Sequence, residues 1–286
     1  MQTTDDTTKP TPLTLVLAAT GKTGRRVADR LEQRGVPIRR GSRSAEIPFD
    51  WDDPSTWEAA LRGVEAAYVV YTPDLAVPAA PAAIAGFTEL AARSGVRRLV
   101  LLSGRGEPEA QRCERIVQES GLAWTIVRAS WFAQNFSEGP FAELVLSGEV
   151  ALPASDVAEP FIDADDIADV VVAALTEPGH AGELYEVTGP RLMTFGETVA
   201  EIAGASGQEV RFAPIPVDAF TAGLAQAGLP SEYVDLLTYL FTTVLDGRNA
   251  HVADGVERAL GRPARDFREY ARETAASGVW QPGAGV

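Results

Sequence analysis

The chain has 286 residues, of which 45% are hydrophobic, enough for one large α/β domain or for a core domain with a smaller lobe. Its formal net charge of −15 argues against a general nucleic-acid-binding surface, and its single cysteine excludes an internal disulfide bond. No apolar stretch has the length of a membrane span, and the cysteine usage favours a reducing, cytoplasmic setting. Residues 1–12 are polar and contain proline, so we expect a flexible tail.

The next stretch predicts a strand, a glycine turn and a helix. An apolar run begins at Leu13, and helical residues follow from Arg25. This order is typical of a dinucleotide-binding βαβ unit, in which the helix N-terminus faces a pyrophosphate. Two glycines have the spacing of the last two in the fingerprint, whereas Ala18 stands at the first. The turn residues predicted to contact the cofactor are Thr20, Gly21, Lys22, Thr23 and Gly24.

A basic segment follows the second predicted strand, residues 36–41. An NAD site places an acid here to bind the ribose hydroxyls, but this chain has no acid until Glu46. It has Arg39, Ser42 and Arg43 instead, and guanidinium and hydroxyl groups suit a 2′-phosphate. The segment therefore favours NADPH, and the alternative is a solvated basic turn.

Strands and helices alternate through the first 190 residues, which predicts a Rossmann-type, doubly wound parallel sheet over residues 13–190. The predicted strands are 47–51, 66–71, 97–102, 124–128 and 184–187, and the helices are 53–62, 78–94, 108–120 and 166–176. Helices 195–203, 217–227, 231–245, 252–260 and 265–275 follow, with one strand at 210–214. We therefore expect a smaller, mainly helical substrate-binding lobe over residues 191–280, with residues 131–160 contributing to the cleft.

Missing residues exclude tyrosine–lysine acid catalysis in its usual form and argue against metal catalysis. Short-chain reductases usually pair a tyrosine with a lysine four positions later, which lowers the tyrosine pKa for proton donation. The two lysines, Lys9 and Lys22, do not follow a tyrosine at that spacing. The two histidines, His180 and His251, lie far apart and predict no metal site.

Several stretches of the chain resemble the NmrA-like atypical short-chain dehydrogenases. They are residues 17–27, 36–44, 103–104 and 124–136. Residues 49–57, 131–137 and 261–263 are similar to the ergot-alkaloid reductase branch, the festuclavine and agroclavine dehydrogenases. The resemblance covers roughly residues 13–275 and implies NADPH-dependent hydride delivery to an imine or iminium carbon. An iminium carbon is already positively charged, so its reduction needs no proton donor.

The resemblance also implies roles for individual residues. Asp50 and Trp51 would flank the adenine, and Tyr71, Thr72 and Ser103 would line the nicotinamide end. Tyr71, Ser103 and Glu114 are the candidate catalytic groups, although Glu114 has a solvated helix face as its alternative. The residues that would face the substrate are Trp131, Phe132, Asn135 and Phe136, and for the first two helix–sheet packing is an equal alternative.

The sequence leaves three functions open. The first is an NADPH-dependent reductase of a small imine, iminium or conjugated carbonyl. The second is an NADP(H) sensor without catalysis, and the third is a quinone reductase. A reductase predicts an enclosed apolar pocket beneath residues 217–245, whereas a sensor predicts an exposed patch there. The oligomeric state, monomer or dimer, also stays open.

Overall fold

The structure is a computed structural model, and it describes residues 12–154 and 156–281. The expected tail at residues 1–12 therefore lies almost wholly outside the described residues. Within this part of the chain, no helix combines the length and apolar character needed to cross a bilayer.

The main sheet has six parallel strands, which confirms the predicted Rossmann-type fold. The described residues form β1 (Leu13–Leu17), β2 (Ile38–Gly41), β3 (Val64–Val69), β4 (Arg98–Gly104), β5 (Ala123–Ala129), β6 (Glu149–Leu152), β7 (Glu183–Val187) and β8 (Arg211–Pro214). The sheet order is β2-β1-β3-β4-β5-β7, and β6 pairs in parallel with β8 in a second, two-stranded sheet. The order reverses between β1 and β3, and such a switch point opens a ligand crevice at the carboxyl ends.

Helices cover both faces of the main sheet. They are α1 (Lys22–Gln33), α2 (Trp57–Leu61), α3 (Ala80–Arg93), α4 (Pro108–Gln118), α5 (Pro140–Leu146), α6 (Ala164–Thr176), α7 (Phe195–Ser206), α8 (Val217–Gln226), α9 (Ser231–Tyr239), α10 (Gly255–Leu260) and α11 (Phe267–Ala276). Successive side chains of β1 point to opposite faces of the sheet, as they do in any β-strand. Leu15 and Leu17 pack with α3 and α4, whereas Val16 packs with α1 and α6. Each face of the sheet therefore has its own apolar core.

A third apolar core combines residues from 133–161 with residues from 193–280, and its centre is aromatic. Phe136, Phe161, Phe195 and Phe267 pack there with ring centroids 5.1 to 6.2 Å apart. A π-helical segment, Leu240–Val244, continues α9 and adds Phe241 to this cluster. The division of the chain at residue 190 stays a prediction.

The predicted third strand at residues 47–51 is wrong. Phe49 and Trp51 are buried on alternate positions, as in a strand, but this segment pairs with no strand of the sheet. Pro48 has no N–H group for a ladder. The Trp51 indole instead donates to the Val70 carbonyl at 2.9 Å, and the Phe49 amide donates to the Ser42 carbonyl at 3.0 Å.

Candidate active site

A cavity of about 570 Å³ opens at the carboxyl ends of β1, β3, β4 and β5. The sequence-predicted residues that line it are Thr20, Gly21, Lys22, Thr23, Tyr71, Thr72, Ser103, Trp131, Phe132 and Asn135. The other predicted residues are not among those described as lining it; they are Gly24, Arg39, Ser42, Arg43, Asp50, Trp51, Glu114 and Phe136. The cavity has the position of a dinucleotide and substrate cleft.

The β1–α1 turn fits a pyrophosphate. Gly21 caps α1, its amide donates to the Ala18 carbonyl at 2.8 Å, and no side chain among the described residues caps the helix. The first amides of α1 are thus free to bind an anion, which the helix dipole also favours. A Cβ at Gly24 would overlap the Ala18 carbonyl oxygen, so this glycine permits the close packing of helix on strand.

Ala18 has φ of 49°, the left-handed conformation that favours glycine. This is the position of the first fingerprint glycine. The turn therefore keeps the glycine-type backbone path with an alanine in it, and the Ala18 methyl group lies at the cavity.

Two cations stand beside this turn. Lys22 donates from Nζ to Asn135 Oδ1 at 3.0 Å, and burial lowers the pKa of Lys22. Arg25 lines the cavity and forms an ion pair of 2.6 Å with Glu138. Arg25 was not predicted as a cofactor-binding residue, although its position in the first turn of α1 places it beside the predicted pyrophosphate site. Thr23 is fixed from below by the Tyr68 hydroxyl, which donates to Thr23 Oγ1 at 3.0 Å.

The basic segment after β2 divides into engaged and free side chains. Arg39 donates from Nη1 to the Ala60 and Arg62 carbonyls at 2.7 and 2.8 Å. Arg40 pairs with Asp29 and Glu32, both at 2.8 Å. Arg43 is exposed and bonds to no side chain among the described residues. Of the three arginines, Arg43 is the one whose guanidinium remains available to a phosphate.

Asp50 and Trp51 lie behind the cavity wall. The Asp50 carbonyl accepts from the Trp57 indole at 2.7 Å, and the Trp51 ring packs 5.0 Å from Phe49 and 5.0 Å from Tyr71. Trp51 thus belongs to an aromatic core and supports Tyr71, which is the member of this group that lines the cavity. Burial raises the pKa of Tyr71, so its hydroxyl keeps its proton at neutral pH.

Ser103, Glu114 and Arg128 form one network, in which Ser103 and Glu114 are buried and Arg128 is half-buried. Ser103 Oγ donates to Glu114 Oε1 at 2.6 Å. Arg128 holds the same carboxylate with two bonds, Nε to Oε1 at 2.9 Å and Nη2 to Oε2 at 2.5 Å. This pairing raises the pKa of Arg128. Glu114 is therefore a bound, structural carboxylate beneath Ser103, neither a solvated side chain nor part of the cavity wall.

The predicted substrate residues also divide into some that line the cavity and one that is buried away from it. Trp131 and Phe132 line the cavity, and Trp131 also packs 5.1 Å from Phe241. Phe136 is fully buried in the third apolar core. Substrate contact stays a prediction for the first two.

Two groups of lining residues were missed. One consists of the acids Asp74 and Glu107, which follow β3 and β4, together with Glu159, which lies between β6 and α6. For the first two the signal was position, because parallel strands expose polar groups at their carboxyl ends. The other is an apolar roof of Leu229, Leu236, Leu237, Leu240 and Val244. The sequence contains these apolar residues, but it does not show that they line the cavity.

Comparison with known proteins identifies the family. Models described as NAD(P)H-binding and as the NmrA-like family match residues 18–178 and 110–272. An NAD(P)H azoreductase from Xenophilus azovorans is 32% identical over 92% of this chain and 98% of its own. A (4-alkanoyl-5-oxo-2,5-dihydrofuran-3-yl)methyl phosphate reductase from Streptomyces griseus is 34% identical over 91% and 97%.

The resemblance to ergot-alkaloid reductases is confirmed. Festuclavine synthase II from Penicillium roqueforti is 28% identical over 90% of this chain and 96% of its own. The crystal structure of an Escherichia coli NADPH-dependent quinone oxidoreductase complexed with NADPH has the same fold, with a TM-score of 0.75 at 20% identity, covering 91% of this chain and 99% of that one. The chain therefore belongs to the NmrA-like family of NAD(P)H-binding oxidoreductases.

Proposed function

We propose that this protein is an NADPH-dependent reductase of a small, largely apolar acceptor, an imine, an iminium or a conjugated carbonyl. The observation that carries the proposal is the roof of the cavity. Leu236, Leu237 and Leu240 of α9 and its π-helical continuation line the same space as the nucleotide turn. An apolar roof beside a dinucleotide turn binds a small organic molecule and excludes water from it.

The cofactor would be held by residues already described. The free amides of α1, Lys22 and Arg25 suit the pyrophosphate, and Arg43 suits a 2′-phosphate. When bound, NADPH supplies a hydride. The chain lacks a tyrosine–lysine pair, and Lys22, the lysine at the cavity, is bonded to Asn135. Positioning of the acceptor therefore supplies much of the rate in this proposal.

The relatives support the acceptor class. The Streptomyces griseus relative is named for a 5-oxo-2,5-dihydrofuran, in which a double bond is conjugated to a carbonyl. The Xenophilus azovorans relative is named for azo reduction. Both names describe reduction of a small molecule that contains an unsaturated bond, as we propose here.

The test is NADPH binding by fluorescence titration, followed by NADPH oxidation with cyclic imines, enones, quinones and an azo dye. We expect tight binding and turnover with at least one class. Binding without turnover would contradict the proposal and favour the NADP(H) sensor. Turnover with quinones alone would favour the quinone reductase.

The roof provides a sharper test. Leu237→Gln should raise KM for an apolar acceptor about 10-fold, because roughly 1.4 kcal/mol of apolar contact is lost, and leave the NADPH Kd unchanged. Val252→Gln is the matched control, since Val252 is 47% exposed and outside the cavity lining. An unchanged KM in the roof variant would mean that the acceptor does not lie beneath α9.

A further inference from the structure

Two carboxyl groups meet at the cavity wall on neighbouring strand ends. Asp74 lies in the loop after β3, and Glu107 lies in the loop between β4 and α4. Because β3 and β4 are adjacent in the sheet, their following loops are neighbours. Both residues line the cavity, as Ser103 does.

Glu107 is unusual because it is buried and one of its carboxyl oxygens has no partner among the described residues. The residue is only 7% exposed, and its Oε2 atom forms no hydrogen bond within the described residues. Its carboxyl group occupies the space beside Gly104, where any Cβ would overlap it. Asp74 is fixed differently, since Oδ1 accepts from the Ala76 amide at 2.8 Å. A buried carboxyl oxygen that faces a cavity and has no partner points to a ligand.

The charges around Glu107 favour its protonated form. Burial is the main effect that raises the pKa of Glu107, and Asp74 and Glu114 add repulsion. Burial also raises the pKa of Asp74. Burial and the two carboxyl groups raise the pKa of Tyr239 on α9, and the Arg248 guanidinium donates to the Gly106 carbonyl at 3.2 Å. Two carboxyl groups this close and this buried favour a state with one proton between them, because ionising both places two like charges side by side at a cost in free energy.

Resting on the reductase function above, we propose that the Glu107–Asp74 pair donates the proton that completes reduction of the acceptor. The reaction balances as one hydride from NADPH, which becomes NADP⁺, and one proton from the pair, added to the two atoms of one double bond. The π electrons form the bond to this proton. The pair is left as two carboxylates and regains a proton from solvent.

This assignment narrows the acceptor class. A conjugated carbonyl, a neutral imine or an azo bond becomes an anion on hydride addition and needs a proton. A permanently charged iminium becomes a neutral amine and needs none. The pair therefore indicates neutral acceptors as the substrates for which the site is built.

The test compares two acceptors in the full-length protein, a neutral enone and a cyclic N-methyl iminium salt. Glu107→Gln and Asp74→Asn should each lower kcat for the enone about 100-fold, the usual size of an acid–base contribution. Turnover of the iminium and the NADPH Kd should stay within about 3-fold, which also shows that the variants fold. Glu119→Gln, an exposed acid at the far end of α4, is the control and should change neither.

Two further measurements report on the proton itself. The rate of enone reduction by the wild type should fall as pH rises through the pKa of the pair. The residual rate of either variant should not show this fall. Infrared spectra at neutral pH should show the C=O stretch of protonated carboxyl groups in the wild type. Glu107→Gln should lower the intensity of this band, and the part that remains should be the part that Glu159→Gln removes.

Each contrary result has a distinct meaning. If none of the tested acceptors supports NADPH oxidation by the wild type, the proposed reductase function is wrong, and the proton-donor proposal that rests on it is wrong too. If the enone is reduced and both variants retain its full rate, the function stands and the inference is overturned. A raised KM for the iminium with an unchanged enone rate would overturn it too, because the pair would then be a cation-binding site.

Discussion

Ser103 donates its hydroxyl proton to Glu114 across 2.6 Å, on the side away from the cavity lining. The proton is therefore committed to a carboxylate that Arg128 holds in place, and Ser103 presents oxygen lone pairs to the cavity. A serine in this state accepts hydrogen bonds from a ligand and is a poor acid.

Glu114→Gln should reduce stability more than it affects chemistry. The change replaces the main charged partner of the half-buried Arg128 guanidinium with a neutral amide, although Glu186 remains 3.5 Å from it. Loss of these charge-assisted hydrogen bonds should cost about 2 kcal/mol in the free energy of unfolding. Denaturant titration measures this loss, and Glu119→Gln should change stability by less than about 0.5 kcal/mol. A Glu114→Gln protein of normal stability whose kcat is strongly reduced would show instead that Glu114 handles a proton.

Ala18→Gly should stabilise the protein. Ala18 has φ of 49°, and a left-handed alanine costs roughly 1–2 kcal/mol, part of which the greater chain entropy of glycine offsets. We expect a gain of about 1 kcal/mol or less in the free energy of unfolding. Ala19→Gly, at the adjacent buried position, should destabilise because it has no such strain to relieve. A loss of stability in both variants would contradict the strain at Ala18.

Arg43→Ala should weaken NADPH binding selectively. Loss of a phosphate-binding guanidinium should raise the NADPH Kd about 10-fold and leave the NADH Kd nearly unchanged. Arg40→Ala is the control, since Arg40 already pairs with Asp29 and Glu32. Calorimetric titration with both cofactors checks this, and equal effects on the two would remove the 2′-phosphate assignment.

Glu159→Gln should remove a pH dependence of stability. Glu159 has no exposed surface, its Oε1 has no partner among the described residues, and burial raises its pKa from 4.5 to about 7. The folded state thus holds this proton after the unfolded chain has released it. Stability should fall as pH rises from about 4.5 through about 7, by about 3 kcal/mol in all.

The comparison for Glu159 is the slope of unfolding free energy against pH in the two proteins. The glutamine variant should show a shallower fall over this range and should be the more stable protein above about pH 7. Parallel curves would show that Glu159 ionises normally in the folded state.

The sequence patterns that predicted this structure well were local ones. The strand β1, the glycine turn and α1 followed from adjacent residues, because an apolar run and a helix N-terminus are short-range features. The strand at residues 47–51 failed because Phe49 and Trp51 alternate as strand residues do but enter the core from a loop. Glu107 was missed for a related reason, since burial beside Gly104 depends on a fold that no local pattern describes.

The pairing of β6 with β8 has a consequence for protein engineering. In the chain, β6 (residues 149–152) comes before β7 and β8 (residues 211–214) comes after it. Glu149 of β6 and Arg211 of β8 form an ion pair. A chimera that takes only its C-terminal third from a relative would pair β6 of one protein with β8 of the other. Exchange of this two-stranded sheet between relatives should therefore transplant both segments as one unit.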